Sequence, residues 1–262
     1  MMDKEKIKVD IKNIMSTKNM PYVSFCEFDF VKDKLLNCRK KALIPKNART
    51  IIMAIFPYKI ENAPPKRISR YAAVPDYHDV CYKYLNAAAT ELKDMFPNNK
   101  FEIFIDNSPI PEVAAAAHSG LGVIGKNGLL IHEKYGSFVF IGEIVTDLEI
   151  EADKGGKKCL DCGQCSKACP INLCKEKCLS AVNQQKNPLN DVQVEQILKS
   201  GYIWGCDICS EVCPMNCDVP KTYIKEFIEG YREEYVDDES FEGRAYAWRG
   251  VEVIKRNAKL FN

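Results

Sequence analysis

Nothing in the 262-residue sequence approaches the ~20 consecutive apolar residues that a membrane-spanning helix needs. Neither sign of charge prevails, since 37 basic and 36 acidic side chains leave a formal net charge of +1. A global attraction to nucleic acid or to an anionic membrane is therefore excluded, and any such affinity has to come from a local patch. The opening stretch, MMDKEKIKVDIKNIM, alternates charges with Ile and Val and has no apolar core of the kind a secretory signal carries. A cytoplasmic protein without membrane attachment is expected. No segment repeats at solenoid length. Histidine is scarce, at three residues, and His78, His118 and His132 read as wall or surface groups rather than as metal ligands.

Cysteine is plentiful instead. Ten of the thirteen lie between Cys159 and Cys217. Without a secretory signal a disulfide scaffold has no support, and metal is the better explanation. CLDCGQCSKACP supplies Cys159, Cys162, Cys165 and Cys169 at spacings x2, x2, x3 before a proline, the run of bacterial ferredoxins. GCDICSEVCP supplies only Cys206, Cys209 and Cys213 and lacks a fourth thiolate. In ferredoxin order the last cysteine of each run ligates the other cluster. Cys159, Cys162 and Cys165 then take Cys213. Cys169, Cys206 and Cys209 need one more ligand, and Cys174, Cys178 and Cys217 are the choices. Cys174 stands only five residues past Cys169, and Cys217 trails past the first cluster. Cys178 precedes a helical stretch that returns over 27 residues to Cys206, so it is assigned as the split ligand. Two 4Fe–4S clusters are expected. Zinc, which also takes four-cysteine sets, is the less favoured alternative. Cys26, Cys38, Cys81, Cys174 and Cys217 read as small apolar or spare thiols.

Ahead of the cysteines, apolar patterning alternates between the two regular periods. Ile7, Ile11, Ile14 and Met15 recur at helical spacing. YVSFCEF and KFEIFID read as strands, TIIMAIFPY as a buried strand, and 79–95 as a helix. PEVAAAAHSG forms a short helix, and SFVFIGEIVTDLEI a strand or a bent pair of strands. The fold class expected is α/β (α+β) for the N-terminal domain, joined to a bacterial-ferredoxin-like double-cluster domain. The boundaries are set at 1–152, 153–220 and 221–262, the last packing back on the core. Two clusters in series carry single electrons to a destination, and a bare carrier needs less than a quarter of this length. An enzyme is implied.

The ordered set SRYA…DYHDV, FIDNSPIPE…AAHSGLGVIGKN, YGSFVFIGEI, GCDICSEVCP and WRG…IKRNA resembles the epoxyqueuosine reductase family, whose core is related to corrinoid reductive dehalogenases. The resemblance runs from about residue 20 to the end and also supports Cys178 as the split ligand. It implies reduction of the epoxide of epoxyqueuosine in tRNA, with electrons relayed through two 4Fe–4S clusters to a cobalamin held base-off in the N-terminal domain. It places the proton donor on Asp106, a carboxyl that otherwise reads as a cap for the following helix. It puts Ser69, Arg70 and Lys126 at the corrin, and Ser180 and Lys186 where cluster, corrin and tRNA meet. After the turn this chain has Glu112 followed by Val113, where the family often has an acid followed by arginine. The implied partners are a tRNA anticodon stem-loop and an external low-potential electron donor, and a monomer is expected. Basic residues between Lys32 and Arg49, with Lys66, Arg67, Arg249, Lys255 and Arg256, are the phosphate-facing candidates. The rivals are a corrinoid iron–sulfur reductase of another small substrate and a plain iron–sulfur electron carrier.

Overall fold

The computed structural model describes residues 4–237 and 241–261. In chain order its helices and strands are α1 (Lys4–Thr17), β1 (Val23–Glu27), β2 (Thr50–Pro57), α2 (Arg70–Ala73), α3 (Tyr77–Met95), β3 (Phe101–Ile105), α4 (Glu112–His118), β4 (Val123–Ile124), β5 (Leu130–Ile131) and β6 (Val139–Thr146). The cysteine-rich half adds α5 (Gln164–Ala168), α6 (Leu179–Asn183), α7 (Asp191–Ser200), α8 (Ile208–Glu211), α9 (Lys225–Glu229) and α10 (Val251–Ala258). Among the described residues no helix is long and apolar enough to cross a membrane.

The chain forms two compact units, 1–56 with 78–160, and 57–77 with 161–262. Segment 57–77, which carries Ser69 and Arg70, thus belongs to the cysteine-rich unit. A single boundary near residue 152 assigns it to the other.

The first unit is a mixed α/β fold. Its sheet runs in the order β1-β2-β6-β3. β1 lies antiparallel to β2 with Val23 opposite Ala54, and β3 antiparallel to β6 with Phe101 opposite Thr146. Every residue of β2 is buried, which explains its unbroken apolar run: a strand covered on both faces has no polar side to alternate with. Helix α1 buries Ile7, Ile11, Ile14 and Met15, and α3 buries Val80, Cys81, Leu85, Ala88, Ala89 and Leu92. Both follow the stripe that 3.6 residues per turn imposes. The glycine-rich stretch 120–131 closes as a hairpin, with Val123 opposite Ile131.

The second unit is built of short helices around a core of Ile68, Ala72, Ala73, Ile203, Trp204, Tyr246, Val253 and Ile254. Small helices leave many backbone groups unpaired at their ends, and buried side-chain amides take these up. Asn183, fully buried, donates to the Gly205 carbonyl at 2.7 Å and accepts the Gly205 N–H at 3.0 Å. Asn257, also fully buried, donates to the carbonyls of Asn183 and Ile203 at 2.6 and 2.8 Å. These bonds hold the strand of chain that leads into Cys206.

Gly205 has φ +67°, and a Cβ placed there would lie 2.6 Å from the Ser69 Cβ and 2.9 Å from Tyr71 Cε1. Gly201, at φ +76°, has open space instead. Gly201→Ala should therefore lose only the left-handed backbone preference, about 1 kcal/mol. Gly205→Ala adds a clash and should lose roughly 1–3 kcal/mol more. Denaturant midpoints of the two variants check this, and equal midpoints would contradict the packing described.

Candidate functional site

At the end of β3 the chain turns sharply. Asp106 has φ +53°, in the left-handed region that aspartate enters more readily than most residues. The Ser108 N–H donates to the Asp106 carbonyl at 2.5 Å. Ser108 Oγ accepts the Ile110 N–H at 3.0 Å and donates to Glu143 Oε2 at 2.6 Å. Helix α4 begins only at Glu112, its N-cap is Pro111, and no side chain caps it. The cap reading of Asp106 therefore does not hold. Its side chain is half exposed, with Oδ2 3.4 Å from His78 Nε2 at the start of α3.

Two further carboxyls stand behind this turn. Glu143, in the middle of β6 and opposite Phe104 of β3, is fully buried. Burial drives its acidity far to the alkaline side of the usual carboxylate range, and the charge of Glu112 adds to the effect. The tip of Glu112 is enclosed although its residue is not wholly so, and the Asp106 N–H points to its carboxyl. Burial first, then the charge of Asp106, pushes the Glu112 pKa up to about 8, against a lesser opposing pull from His78. Glu112 Oε2 and Glu143 Oε1 are buried without a hydrogen-bond partner. The sequence marked Glu112 only as part of the family motif and passed over Glu143. The available signal was Glu143 itself, a lone acid inside an otherwise apolar strand.

The other histidines serve the fold. His132 accepts the N–H groups of Lys134 and Tyr135 through Nδ1, and burial holds its pKa down near 4. His118 stacks on Phe30 at 3.7 Å between centroids and meets Glu27 Oε1 at 2.7 Å.

None of the thirteen cysteines, all among the described residues, is in a disulfide. Cys159 falls in the first unit and the other seven assigned cluster ligands in the second. There α5, which follows Cys162, packs against α8, which carries Cys209. Burial pushes the Cys206 thiol up to about 12, and Cys209 and Cys178 are among the neighbours that raise it further. Cys178 and Cys209 thus both lie close enough to Cys206 to act on its thiol. Among the described residues no three His, Cys, Asp or Glu side chains close in as the shell of a single ion. A cubane makes no such demand, because its four thiolates each take a different iron.

Ser69 and Arg70 are both buried in the second unit. The Arg70 N–H donates to Asp207 Oδ2 at 2.6 Å. Its guanidinium engages both Glu211 oxygens at 2.5 and 3.1 Å and the carbonyls of Glu61, Asn62 and Ala63. All five guanidinium N–H groups are accounted for within the protein. Arg70 therefore braces the loop of Cys206 and Cys209. Lys126 is exposed on the hairpin turn. Ser180 and Lys186 line an open pocket of about 550 Å³ with Cys178, Gln184, Gln185 and Arg249. Of the remaining basic candidates, Arg256 ties down the carbonyls of Gln185 and Asn187. Arg67 lies over the Phe261 ring, and Lys66 and Lys255 pair with acids. Lys32, Lys34, Arg39, Lys40 and Lys41 stand on short 3₁₀ turns with no buried residue.

A family model described as "Epoxyqueuosine reductase QueG, DUF1730" matches residues 39–107. An epoxyqueuosine reductase of Leadbetterella byssophila is 34% identical over 205 residues, covering 74% of this chain and 67% of the relative. Across other curated relatives the match runs from 50% of one relative's length to 85% of another's. A solved epoxyqueuosine reductase from Streptococcus thermophilus is 26% identical with a TM-score of 0.81, over 97% of this chain and 80% of that one. A second solved structure, an epoxyqueuosine reductase with an epoxyqueuosine-modified tRNA-Tyr stem-loop, shares the fold. Its TM-score is 0.84 at 24% identity, over 98% and 81% of the two chains.

The expectation of two 4Fe–4S clusters with Cys178 as the split ligand can be tested directly. On that expectation Cys178→Ser lowers the iron of anaerobically prepared protein from about eight to about four atoms per chain. Cys174→Ser and Cys217→Ser should leave it unchanged. Full iron and unperturbed EPR spectra in Cys178→Ser would refute the split quartet.

Proposed function

The chain belongs to the epoxyqueuosine reductase family, and we propose that it reduces the epoxide of epoxyqueuosine in a tRNA anticodon stem-loop to the alkene of queuosine. The observation that carries this reading is the Asp106 turn: a half-exposed carboxyl at the end of a strand, committed to no helix cap. Removing the oxirane oxygen consumes two electrons and two protons and releases one water.

The thiols fit iron–sulfur ligation on chemistry and placement. None is in a disulfide, seven share one unit, and Cys178 stands beside Cys206. Cys159, Cys162, Cys165 and Cys213 would hold one 4Fe–4S cluster, and Cys169, Cys178, Cys206 and Cys209 the other. For cobalamin, the exposed side chains of Asp106 and Lys126, and Ser180 and Lys186 at the open pocket, fit a ligand-facing role. Ser69 and Arg70 fit a supporting one. Since His78 already faces Asp106, base-off binding without a histidine ligand agrees with the geometry. When bound, these groups supply single-electron transfer and a low-valent cobalt reductant.

The protein's own part is binding and proton delivery. Opening an epoxide builds negative charge on oxygen, and an acid held within hydrogen-bond reach speeds that step, typically by a factor of about 10²–10⁴. Asp106 is that acid. Its turn is fixed through Ser108 and Glu143, so the carboxyl is aimed by groups that do not depend on substrate. The basic stretch from Lys32 to Arg49 faces phosphate, and an external low-potential donor supplies the electrons. The enzyme acts as a monomer in the cytoplasm.

Asp106→Asn keeps shape and loses the acidic proton. With clusters and corrin loaded, it should bind a modified stem-loop normally and lose at least a hundredfold in turnover. Wild-type rates in that variant would remove Asp106 from the mechanism. RNA affinity should fall steeply with salt through counterion release, and a flat response measured by fluorescence anisotropy would contradict phosphate recognition.

A further inference from the structure

The sequence holds two tryptophans, and the fold treats them in opposite ways. Trp204 is fully buried in the core of the second unit, edge-on to Tyr246 at 6.0 Å between centroids. Trp248, in the same unit, is 53% exposed. Its backbone is nevertheless anchored. Arg244, Ala245 and Tyr246, just ahead of it, are all buried, and the Arg244 guanidinium donates to the Ala73 carbonyl at 3.3 Å. The chain then makes a 3₁₀ turn over Ala247–Arg249 and passes into α10. An exposed aromatic by itself says little, but the surroundings of this one are specific.

The Arg249 guanidinium lies over the indole, 3.8 Å from the ring centroid. It covers one face and leaves the exposed area to the other face and the ring edge. Arg249 in turn lines the open pocket of about 550 Å³ with Ser180, Gln184 and Lys186, and no acidic residue lines it. Among the described residues neither Arg249 nor Lys186 meets a carboxylate, and Arg249 Nε is enclosed without an acceptor. The pocket wall is firm. Arg256 bonds the Gln185 and Asn187 carbonyls at 3.1 and 2.9 Å. Gln185 Nε2 donates at 3.1 Å to Oε1 of Gln193, the residue that closes the capping box of α7.

Two cations without counter-charges, beside an open aromatic face, suit a ligand that carries a negative charge next to a flat ring. A nucleotide has both. Building on the RNA reading of this protein, we propose that Trp248 stacks an unpaired base of the stem-loop while Arg249 and Lys186 hold the phosphate beside it. Bases in a hairpin loop can splay out and stack on a side chain, whereas bases in a stem are already stacked on one another. Such stacking is tolerant of base identity and contributes about 1–3 kcal/mol per base. The site therefore grips and positions the loop and does not read its sequence. The guanidinium keeps the indole in one orientation before RNA arrives, so less freedom is lost on binding.

The two tryptophans make the test direct, because Trp204 is enclosed and supplies a constant background. Intrinsic emission of cluster-replete protein is followed as an unmodified anticodon stem-loop is added, with binding measured in parallel by anisotropy of a labelled RNA. Emission should fall in step with binding in wild type and stay level in Trp248→Phe, which keeps an aromatic face and most of the affinity. Trp248→Ala should bind about tenfold more weakly or worse. Arg249→Gln should reduce the slope of log affinity against log salt by about 0.7, one phosphate's share for single-stranded RNA. Unchanged wild-type emission at saturating RNA, or normal affinity in Trp248→Ala, would overturn the stacking site while leaving RNA binding intact. An unchanged salt slope in Arg249→Gln would overturn its phosphate contact. Equal quenching by a fully paired duplex would refute an unpaired base, and equal quenching by polyglutamate would assign the surface to an acidic protein instead. If no RNA binds, the RNA reading of the whole protein fails, and this site falls with it.

Discussion

A carboxyl group shut among apolar strands ionises only at great cost, and the end of β3 is organised around that constraint. Glu143 sits mid-strand where its neighbours Gly142 and Ile144 continue a buried run. Its one satisfied oxygen takes the Ser108 hydroxyl, which in turn takes the Ile110 N–H. Each bond fixes one atom of the segment from Asp106 to Ile110, and so fixes a left-handed aspartate that would otherwise relax. A neutral Glu143 serves this better than a charged one, because its burial is then an ordinary polar burial with one oxygen satisfied. The strand's apolar packing and the site's acidity come from the same enclosure.

In the second unit the governing problem is different. Helices of four or five residues bury little apolar surface each, and loops that carry cysteines must not collapse onto one another before ligation. Rigid polar ties take up that load. The side chains of Asn183 and Asn257 join three backbone segments, and Arg70 clasps Glu211 and three carbonyls at once. Removing either tie strands a buried donor or acceptor, a penalty of about 1–3 kcal/mol apiece. Asp207, fully buried between Cys206 and Cys209, is held near pKa 7, chiefly by burial and by Glu211 against the opposing Arg70. The stability of this unit and the shape of the loop that carries Cys206 and Cys209 thus rest on the same bonds.

Much of this was legible in the residues. The regular apolar periods located α1, β2, α3, β3 and α4 to within a residue or two, since each buries one face or both. Ferredoxin spacing singled out seven cysteines as expected cluster ligands, and loop length an eighth, Cys178. What escaped was tertiary. The pairing of β3 with β6 brings Glu143 beneath the Asp106 turn, and no local pattern announces a partner forty residues away. Arg70 was expected at the corrin only because the family resemblance put it there. Only the folded chain shows that its donors meet Glu211 and the 61–63 carbonyls. The transfer of 57–77 to the cysteine-rich unit was equally invisible, because β2 runs straight into it without a composition change.

The central claim is removal of one oxygen atom from an epoxide on RNA. Mass spectrometry of nucleosides released from an epoxyqueuosine-bearing stem-loop measures it directly, after incubation with iron- and cobalt-replete protein and a one-electron reductant. The expected product is lighter than the substrate nucleoside by one oxygen, with two electrons consumed for each molecule converted and none formed without the reductant. An intact epoxide on bound RNA, with iron and cobalt fully loaded and the reductant in excess, would contradict it.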